Sequence, residues 1–180
     1  MREISLHILD IARNSIEAGA TRLHLTIHED TAHDQLSVEI IDNGRGMDEV
    51  ELYQATDAFH TSRKTRRQGL GLPLFKATCE RCGGTLGLTS RLMEGTQVNV
   101  TMQLSHLDRP PLGDMGAVIQ ALACEAKKVH LTYVHTVGDS RFILDTNELQ
   151  WELDDVSLRS PLVLEWLRRH VNECLQNMGA

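Results

Sequence analysis

Length, composition and charge already exclude several kinds of protein. The chain has 180 residues, room for about one domain and a small extension, and its 41% hydrophobic and 24% charged residues are ordinary for a globular protein. The net charge of −7 argues against nucleic acid as a partner. No apolar run is long enough for a membrane span, and the start, MREISLHILD, lacks a signal-peptide pattern, so we expect a cytoplasmic protein.

Hydrophobic periodicity predicts alternating helices and strands in the first part of the chain. The first helix is predicted to end at Gly19, and the third to have Pro73 in its first turn. In chain order the predicted elements are a helix over 2–18, strands at 23–27 and 36–40, a short helix over 48–54, a helix ending near 81, and strands at 85–90 and 96–104.

A proline-bearing stretch, 107–112, predicts a linker between a first domain, 1–106, and a C-terminal α/β extension, 113–180. Within the extension we expect a helix over 114–126 and a hairpin around Gly138-Asp139. A final helix has Ser160 as its N-cap and Pro161 at its first position. Its apolar face is predicted to consist of Val163, Leu167, Val171, Cys174 and Met178, flanked by Trp166 and Leu175.

The first helix carries a second, polar stripe at a spacing of three and four, formed by His7, Asp10, Asn14 and Glu17. The amide oxygen of Asn14 can ligate Mg²⁺, and the Asp10 carboxylate, one turn earlier, can accept a proton from an attacking water. A polar face turned to solvent is the alternative for any amphipathic helix.

Two glycine clusters stand beside charged residues. In Asp42-Asn43-Gly44-Arg45-Gly46, glycines let the backbone approach a flat ligand, while the carboxylate can accept an exocyclic amine; taken by itself, however, the pattern favours a plain turn. The run 69–73, Gly-Leu-Gly-Leu-Pro, precedes a helix whose N-terminal N–H groups suit phosphate. Four basic residues between 63 and 67 favour a polyphosphate, although a solvated loop is the alternative.

Taken together and in this order, these motifs resemble the GHKL (Bergerat-fold) ATPases, which include gyrase B, the large heat-shock chaperone, sensor histidine kinases and MutL-type proteins. The resemblance covers about residues 3–104. Its four boxes are LDIARNSIEAGAT at 9–21, IIDNGRGM at 40–47, QGLGLPLFK at 68–76 and EGTQVNVTM at 94–102. It implies a two-layer α+β sandwich, with a mixed sheet covered by helices on one face, that binds ATP and Mg²⁺.

The resemblance also implies roles for individual residues. Asn14 would coordinate Mg²⁺ and Asp10 would be the general base, while Asp42, assisted by Thr96, would accept the adenine amino group. Lys64, in the lid segment, would reach the terminal phosphate. The remaining nucleotide contacts are implied for Gly44, Gly46 and Met47 at the adenine and for Gly69, Leu70, Gly71 and Leu72 at the phosphates.

Departures from the family pattern qualify the expected activity. Position 10 holds Asp where these ATPases carry Glu, so hydrolysis is expected to be slow. Arg67 replaces a glycine of the second cluster, so the hinge of the lid is expected to be altered. We expect a slow ATPase or ATP-gated regulatory module that acts on a protein partner. A stand-alone protein kinase of the anti-sigma or histidine-kinase type, and a nucleotide-binding switch without catalysis, are the alternatives. With Asp10 so near Met1, the upstream dimerisation helix of a sensor kinase is not expected.

Two further features bear on metals and partners. Cys79-x-x-Cys82 is half of a zinc or redox motif, but the other cysteines are single, so core packing is favoured and the thiols are expected to be reduced. The stripe from Trp166 to Met178 fits either a core or a dimer interface, which leaves a homodimer open.

Overall fold

The computed structural model describes residues 3–56, 71–125 and 129–180, which form six helices and six strands. The predicted strands and helices are confirmed, with small shifts at their ends. The strands are β1 (Arg22–Asp30), β2 (Gln35–Asp42), β3 (Thr85–Arg91), β4 (Gly95–Gln103), β5 (His130–Val137) and β6 (Ser140–Asp145). The helices are α1 (Ile4–Glu17), α2 (Glu49–Thr56), α3 (Gly71–Arg81), α4 (Met115–Glu125), α5 (Thr146–Glu152) and α6 (Pro161–Met178).

All six strands belong to one mixed sheet, in the order β3-β4-β2-β1-β5-β6. Four of the five neighbouring pairs are antiparallel, and β1 and β5 are parallel. In that parallel pair Leu23 lies beside Leu131 and Leu25 beside Tyr133. The C-terminal region therefore extends the sheet of the first region from β1, the outermost of that region's four strands.

Alternate side chains of the strands are buried under the helices, as period-two patterning requires. One core cluster joins residues from both parts of the chain, including Ile8 of α1, Ile40 of β2, Ile119 of α4 and Leu167 of α6. The other side of the sheet carries polar side chains such as Thr26, Asn99 and Thr132, which are exposed or half-buried. The predicted α+β sandwich with helices on one face is confirmed.

The C-terminal region differs in two details from the sequence prediction. Helix α5 was not expected; it begins because the Asp145 carboxylate accepts the N–H groups of Asn147 and Glu148 as an N-cap. The N-cap of α6 is confirmed, since Ser160 accepts the Val163 N–H. The predicted buried face of α6 is partly wrong: Cys174 and Met178 lie at its edge, and the buried residues are Val163, Leu164, Leu167, Val171 and Leu175. Leu164, directly after Val163, and Leu175, one turn after Val171, are buried because α6 also packs on α4.

The segment predicted as a linker lies against the start of α1. Two N–H groups there, of Ile4 and Ser5, donate to the carbonyl oxygens of Pro111 (3.1 Å) and Leu112 (2.7 Å). No side chain caps this helix end, so these carbonyl contacts satisfy donors that would otherwise be unpaired. Toward the C-terminal end of α1, Arg13 forms an ion pair with Glu125 of α4. The boundary at 107–112 stays a prediction.

The cysteine pair lies inside the fold. Cys79 and Cys82 are free thiols that are fully buried, and burial raises the pKa of Cys79 to about 12. Within the described residues, no three His, Cys, Asp or Glu side chains are grouped to hold a metal ion. In the same part of the chain, no helix combines the length and the apolar character that crossing a membrane requires.

Candidate nucleotide-binding site

A buried carboxylate ends the second strand of the sheet. Asp42, the last residue of β2, is only 8% exposed, and its two oxygens accept hydrogen bonds from the Ser15 hydroxyl (2.6 Å) and the Gly44 N–H (2.8 Å). Ser15 is a buried residue on the otherwise apolar face of α1, and sequence reasoning gave it no role. A hydroxyl within an otherwise apolar stripe is the signal that would have identified it. The two bonds fix the carboxylate as an oriented acceptor.

Thr96 lies directly beside Asp42, because the two residues are partners in the β2–β4 pairing. The Thr96 hydroxyl lies 3.0 Å from the Ser90 hydroxyl of β3. Ser90 in turn donates to the Gly95 carbonyl (2.8 Å) and accepts the Met47 N–H (2.9 Å). Ser90 was missed by sequence reasoning, since serine in an exposed strand has no distinguishing pattern. Ser90 therefore links Thr96 of β4 and Met47 of the glycine loop through one hydrogen-bond network.

The first glycine cluster is a rigid loop. Gly46 has φ +64°, a left-handed conformation that is strained for any residue with a side chain. A Cβ atom at this position would also collide with the Arg91 carbonyl. The Arg45 N–H donates to the Ala18 carbonyl (3.0 Å), and the Arg45 carbonyl accepts the Met93 N–H (2.6 Å). The loop is thereby fixed between the end of α1 and the β3–β4 turn.

The neighbouring Asn43 explains why the sequence pattern after α1 is specific. Its side-chain oxygen accepts the N–H groups of Thr21 (2.9 Å) and Arg22 (2.7 Å), and its amide donates to the Thr21 hydroxyl (2.9 Å). Asn43 therefore holds the α1–β1 turn in place.

Asp10 and Asn14 lie one turn apart on the same side of α1, as predicted. A Cβ on Gly71 would collide with the Asp10 carboxylate, so this carboxylate lies directly against the first residue of α3. Asn14 is exposed, and its amide forms no side-chain hydrogen bond within the described residues. Leu72, the next residue of α3, is half-buried. A proton acceptor thus borders a helix N-terminus, and an exposed amide lies one turn further along α1.

The predicted polar stripe of α1 is wrong at His7. This side chain is fully buried and stacks on Phe75 of α3, with ring centroids 4.7 Å apart and an angle of 6° between the planes. Burial lowers the pKa of His7 to about 4, so the ring is neutral at pH 7. Within the described residues, neither ring nitrogen has a hydrogen-bond partner. His7 therefore belongs to the interface between α1 and α3, although its spacing along α1 matches that of the polar residues.

The structure brings the predicted residues into two groups linked by α1. Asp42, Thr96, Gly44, Gly46 and Met47 surround the end of β2, whereas Asp10 lies against Gly71 at the start of α3, with Leu72 next in that helix and Asn14 one turn after Asp10 on α1. Helix α1 links them, because Ser15 bonds to Asp42 and Asn14 precedes Ser15 in the chain. Three predicted residues, Lys64, Gly69 and Leu70, lie outside the described residues, as do the other basic residues between 63 and 67.

Comparison with known proteins decides the family. The sequence model of one protein family, the histidine kinase-, DNA gyrase B- and HSP90-like ATPases, matches residues 2–106, more than half of the chain. The chain belongs to this family. It therefore carries an ATP-binding domain of the histidine kinase-like ATPase type, and the resemblance inferred from the four boxes is confirmed.

Similar curated proteins are sensor kinases. A sensor histidine kinase NtrY-like protein of Rickettsia bellii is 24% identical over 59% of this chain and 17% of its own length. Sporulation kinase D of Bacillus subtilis is 31% identical over 54% of this chain and 19% of its own length. The chain thus matches about a fifth or less of the length of these relatives, and the match shows a shared domain only.

A solved structure shares the fold. The crystal structure of the N terminal domain of a DNA repair protein superimposes with a TM-score of 0.54 and 18% sequence identity, covering 81% of this chain and 53% of that one. At this identity the likeness concerns the fold alone. Because the coverage exceeds the family match, the superposition also includes part of the C-terminal region.

Proposed function

We propose that this chain is a Mg²⁺-dependent ATP-binding protein that hydrolyses ATP slowly and uses the bound nucleotide to regulate a protein partner. The observation that carries this proposal is the Asp42 carboxylate, buried at the end of β2 and oriented by Ser15 and Gly44. A buried acceptor with a glycine loop beside it suits a flat base with an exocyclic amine.

Adenine recognition follows from the chemistry of these groups. Two of the Asp42 lone-pair sites are used by Ser15 and Gly44, and a carboxylate offers about four. The adenine amino group would take one of the others, with the Thr96 hydroxyl at the same edge. The absence of a side chain lets Gly44 pack closely against Asp42 and Ala18, and Gly46 against the Arg91 carbonyl, which holds the glycine loop beside the carboxylate.

The phosphate end is supported by the residues of α1 and α3. Asn14 would hold Mg²⁺ through its amide oxygen, a ligand type that this ion accepts, and the ion would neutralise phosphate charge when bound. The N-terminal N–H groups of α3 favour an anion. Asp10, which lies against Gly71 at that helix start, would accept the proton of the attacking water. Its side chain is one methylene shorter than Glu, which is why we propose slow hydrolysis.

Phosphoryl transfer to a protein is the second candidate. It is favoured by the relatives, whose names describe sensor and sporulation kinases. In that case Asp10 would accept the proton of a protein hydroxyl, or orient a partner histidine, in place of water. A switch that binds ATP without turnover is the third candidate.

The decisive experiment is calorimetric titration of ATP and Mg²⁺ into the Asp42→Asn variant. Asn keeps the shape, its oxygen can still accept the Gly44 N–H and its NH2 group can donate to the Ser15 hydroxyl oxygen, but a neutral amide replaces the charged acceptor that faces the adenine. We expect a loss of affinity of about 10-fold to 100-fold, the value of a hydrogen bond to a charged group.

The matched control is Glu39→Gln, the same chemical change on the same strand. Glu39 lies three residues earlier, on the opposite face of the sheet, where it accepts a hydrogen bond from Gln97. We expect unchanged ATP affinity there. Equal affinity of Asp42→Asn and the wild type would disprove the nucleotide site proposed here.

Asp10→Asn separates binding from turnover. ATP affinity should be retained, while phosphate release falls by at least about 100-fold, as expected on removal of a general base. Labelled ATP then distinguishes the candidates: label released as phosphate indicates hydrolysis, label on a partner protein indicates a kinase, and no Asp10-dependent loss of label from ATP indicates a switch.

A further inference from the structure

A row of polar side chains crosses three neighbouring strands beside the glycine loop. Ser90 of β3 pairs with Thr96 of β4, and Thr96 pairs with Asp42 of β2, so the three side chains lie side by side on the face of the sheet that the helices cover. Ser15 of α1 joins the row through its hydrogen bond to Asp42. The positions of the hydroxyl protons in this row decide which ligand groups it can bind.

The surroundings of Ser90 fix the direction of its hydroxyl proton. A serine hydroxyl carries one proton and two lone pairs. The Gly95 carbonyl, 2.8 Å away, can only accept, so Ser90 donates its single proton there. The Met47 N–H, 2.9 Å away, can only donate, so it takes one lone pair of the Ser90 oxygen. Ser90 is left with one lone pair for Thr96 and with no proton to offer.

The direction of the Thr96 hydroxyl follows from this. The hydroxyl oxygens of Thr96 and Ser90 lie 3.0 Å apart, and since Ser90 has no proton to give, Thr96 is the donor. The single proton of Ser15 is directed to the Asp42 carboxylate, 2.6 Å away, because the Ile11 carbonyl is more distant at 3.4 Å. Every hydroxyl proton of the row is thus used inside the protein. The row offers a ligand lone pairs only.

We propose that Ser90 is a positioning residue that holds Thr96 as a hydrogen-bond acceptor, and that it thereby sets the preference of the site for a purine with an amine in place of a carbonyl oxygen. This role rests on the proposed function, since the base must bind at Asp42. An amine has two N–H groups for the acceptors of Asp42 and Thr96, directly or through water. A carbonyl oxygen would meet lone pairs alone and stay unpaired, which weakens binding.

Substitution of Ser90 isolates this effect. In Ser90→Ala the Thr96 hydroxyl loses its acceptor and can rotate to donate to a carbonyl oxygen of the ligand. The same substitution leaves the Met47 N–H and the Gly95 carbonyl without the Ser90 hydroxyl, and a looser glycine loop would weaken the binding of every nucleotide alike. The ratio of two nucleotide affinities cancels this common loss. The ratio therefore reports the direction of the Thr96 hydroxyl and not the stability of the loop.

Calorimetric titration of ATP and of inosine triphosphate, each with Mg²⁺, into the full chain measures this ratio. Inosine triphosphate carries a carbonyl oxygen where ATP carries the amine. We expect the wild type to bind ATP at least about tenfold more tightly than inosine triphosphate. In Ser90→Ala this ratio should fall by about fivefold, the value of one hydrogen bond. Ser90→Thr keeps a hydroxyl at this position and should keep the wild-type ratio.

Two further variants show whether the effect passes through Thr96. Thr96→Val removes the hydroxyl at nearly constant shape, so in that background Ser90→Ala should leave the ratio unchanged. The matched control is Thr89→Ala, which removes a hydroxyl from the neighbouring residue of β3, on the opposite face of the sheet. This control should retain both affinities. Circular dichroism and thermal unfolding confirm that each variant is folded.

The possible results separate the role of Ser90 from the proposed function. ATP binding that depends on Asp42, together with an unchanged ratio in Ser90→Ala, would overturn the role of Ser90 alone. A fall in the ratio that persists in the Thr96→Val background would also overturn it, because Ser90 would then act by another route. If no ATP binds, or if Asp42→Asn binds ATP as tightly as the wild type, the nucleotide site and the role of Ser90 are both wrong.

Discussion

The two regions of the chain use buried polar groups differently. In the C-terminal region they are paired within the protein: the Tyr133 hydroxyl lies 2.7 Å from His135 Nδ1, and His135 Nε2 lies 2.9 Å from Glu29. In the first region the Asp42 carboxylate is oriented but not saturated, since it accepts two hydrogen bonds of the about four that a carboxylate can accept. Satisfied groups stabilise a fold, whereas oriented and incompletely satisfied groups are available to a ligand.

The same contrast separates two buried histidines. His135 is fully buried between two partners, while His7 is fully buried against an aromatic ring with none among the described residues. The two regions nevertheless share one sheet and one core. The two regions therefore differ in function within a single structural unit. Experiments that separate the two regions test this difference most strongly.

Truncation is the largest test of this unity. A chain that ends at residue 112 loses α4, whose Met115, Val118, Ile119 and Leu122 are each at most 2% exposed, and it leaves β1 without its parallel neighbour. We expect this fragment to lack cooperative thermal unfolding and to bind no ATP, measured by circular dichroism and calorimetry. A fragment that unfolds cooperatively would instead show that the predicted domain 1–106 is independent.

Acid tests the unpartnered histidine. The pKa of His7 is about 4 in the fold against an ordinary value of 6.5, so protons bind the unfolded chain more strongly. Stability from this group is present above pH 6.5 and is lost as the pH falls toward 4, a change of about 3 kcal/mol. Urea unfolding between pH 7 and pH 4 measures it.

The variant that isolates this effect is His7→Leu, which should flatten the acid loss while retaining the packing against Phe75. His24→Gln, on the polar face of the sheet, should leave the loss as it is in the wild type. If His7→Leu keeps the full acid sensitivity, other groups are responsible for it.

The ion pair between the regions should have the smallest effect. Arg13 and Glu125 form a two-pronged contact (2.9 and 2.5 Å), but both side chains are more than 40% exposed. Glu125→Gln should cost less than about 1 kcal/mol of the free energy of unfolding, and the cost should vanish in high salt. A larger cost that persists in salt would mean that this contact couples the two regions more tightly than its exposure indicates.

Much of the fold and the family could be predicted from the sequence, because periodicity and glycine clusters are local signals. The position of β5 could not: parallel pairing with β1 joins residues more than a hundred positions apart, and no local pattern specifies it. Helix α5 was missed because its seven residues are short and its start depends on the Asp145 side chain.

The site shows the same division between local and long-range information. Asp42 and Gly71 were identified from motifs, since the chemistry needs those residue types beside a strand end and a helix start. Ser15 and Ser90 were not, because their roles exist only once α1 and β3 lie next to β2 and β4. His7 was misassigned because helical spacing alone cannot tell a solvated stripe from an interface between helices.

The parallel pairing of β1 with β5 has a consequence for synthesis on the ribosome. When the last family box, which ends at residue 102, has been synthesised, β1 still has one unpaired edge, and its neighbour His130–Val137 is not yet made. A nascent chain at this stage would present an incomplete central strand, an aggregation-prone species. We therefore expect the nucleotide site to form late, after the second half of the chain has been translated and β5 has paired with β1.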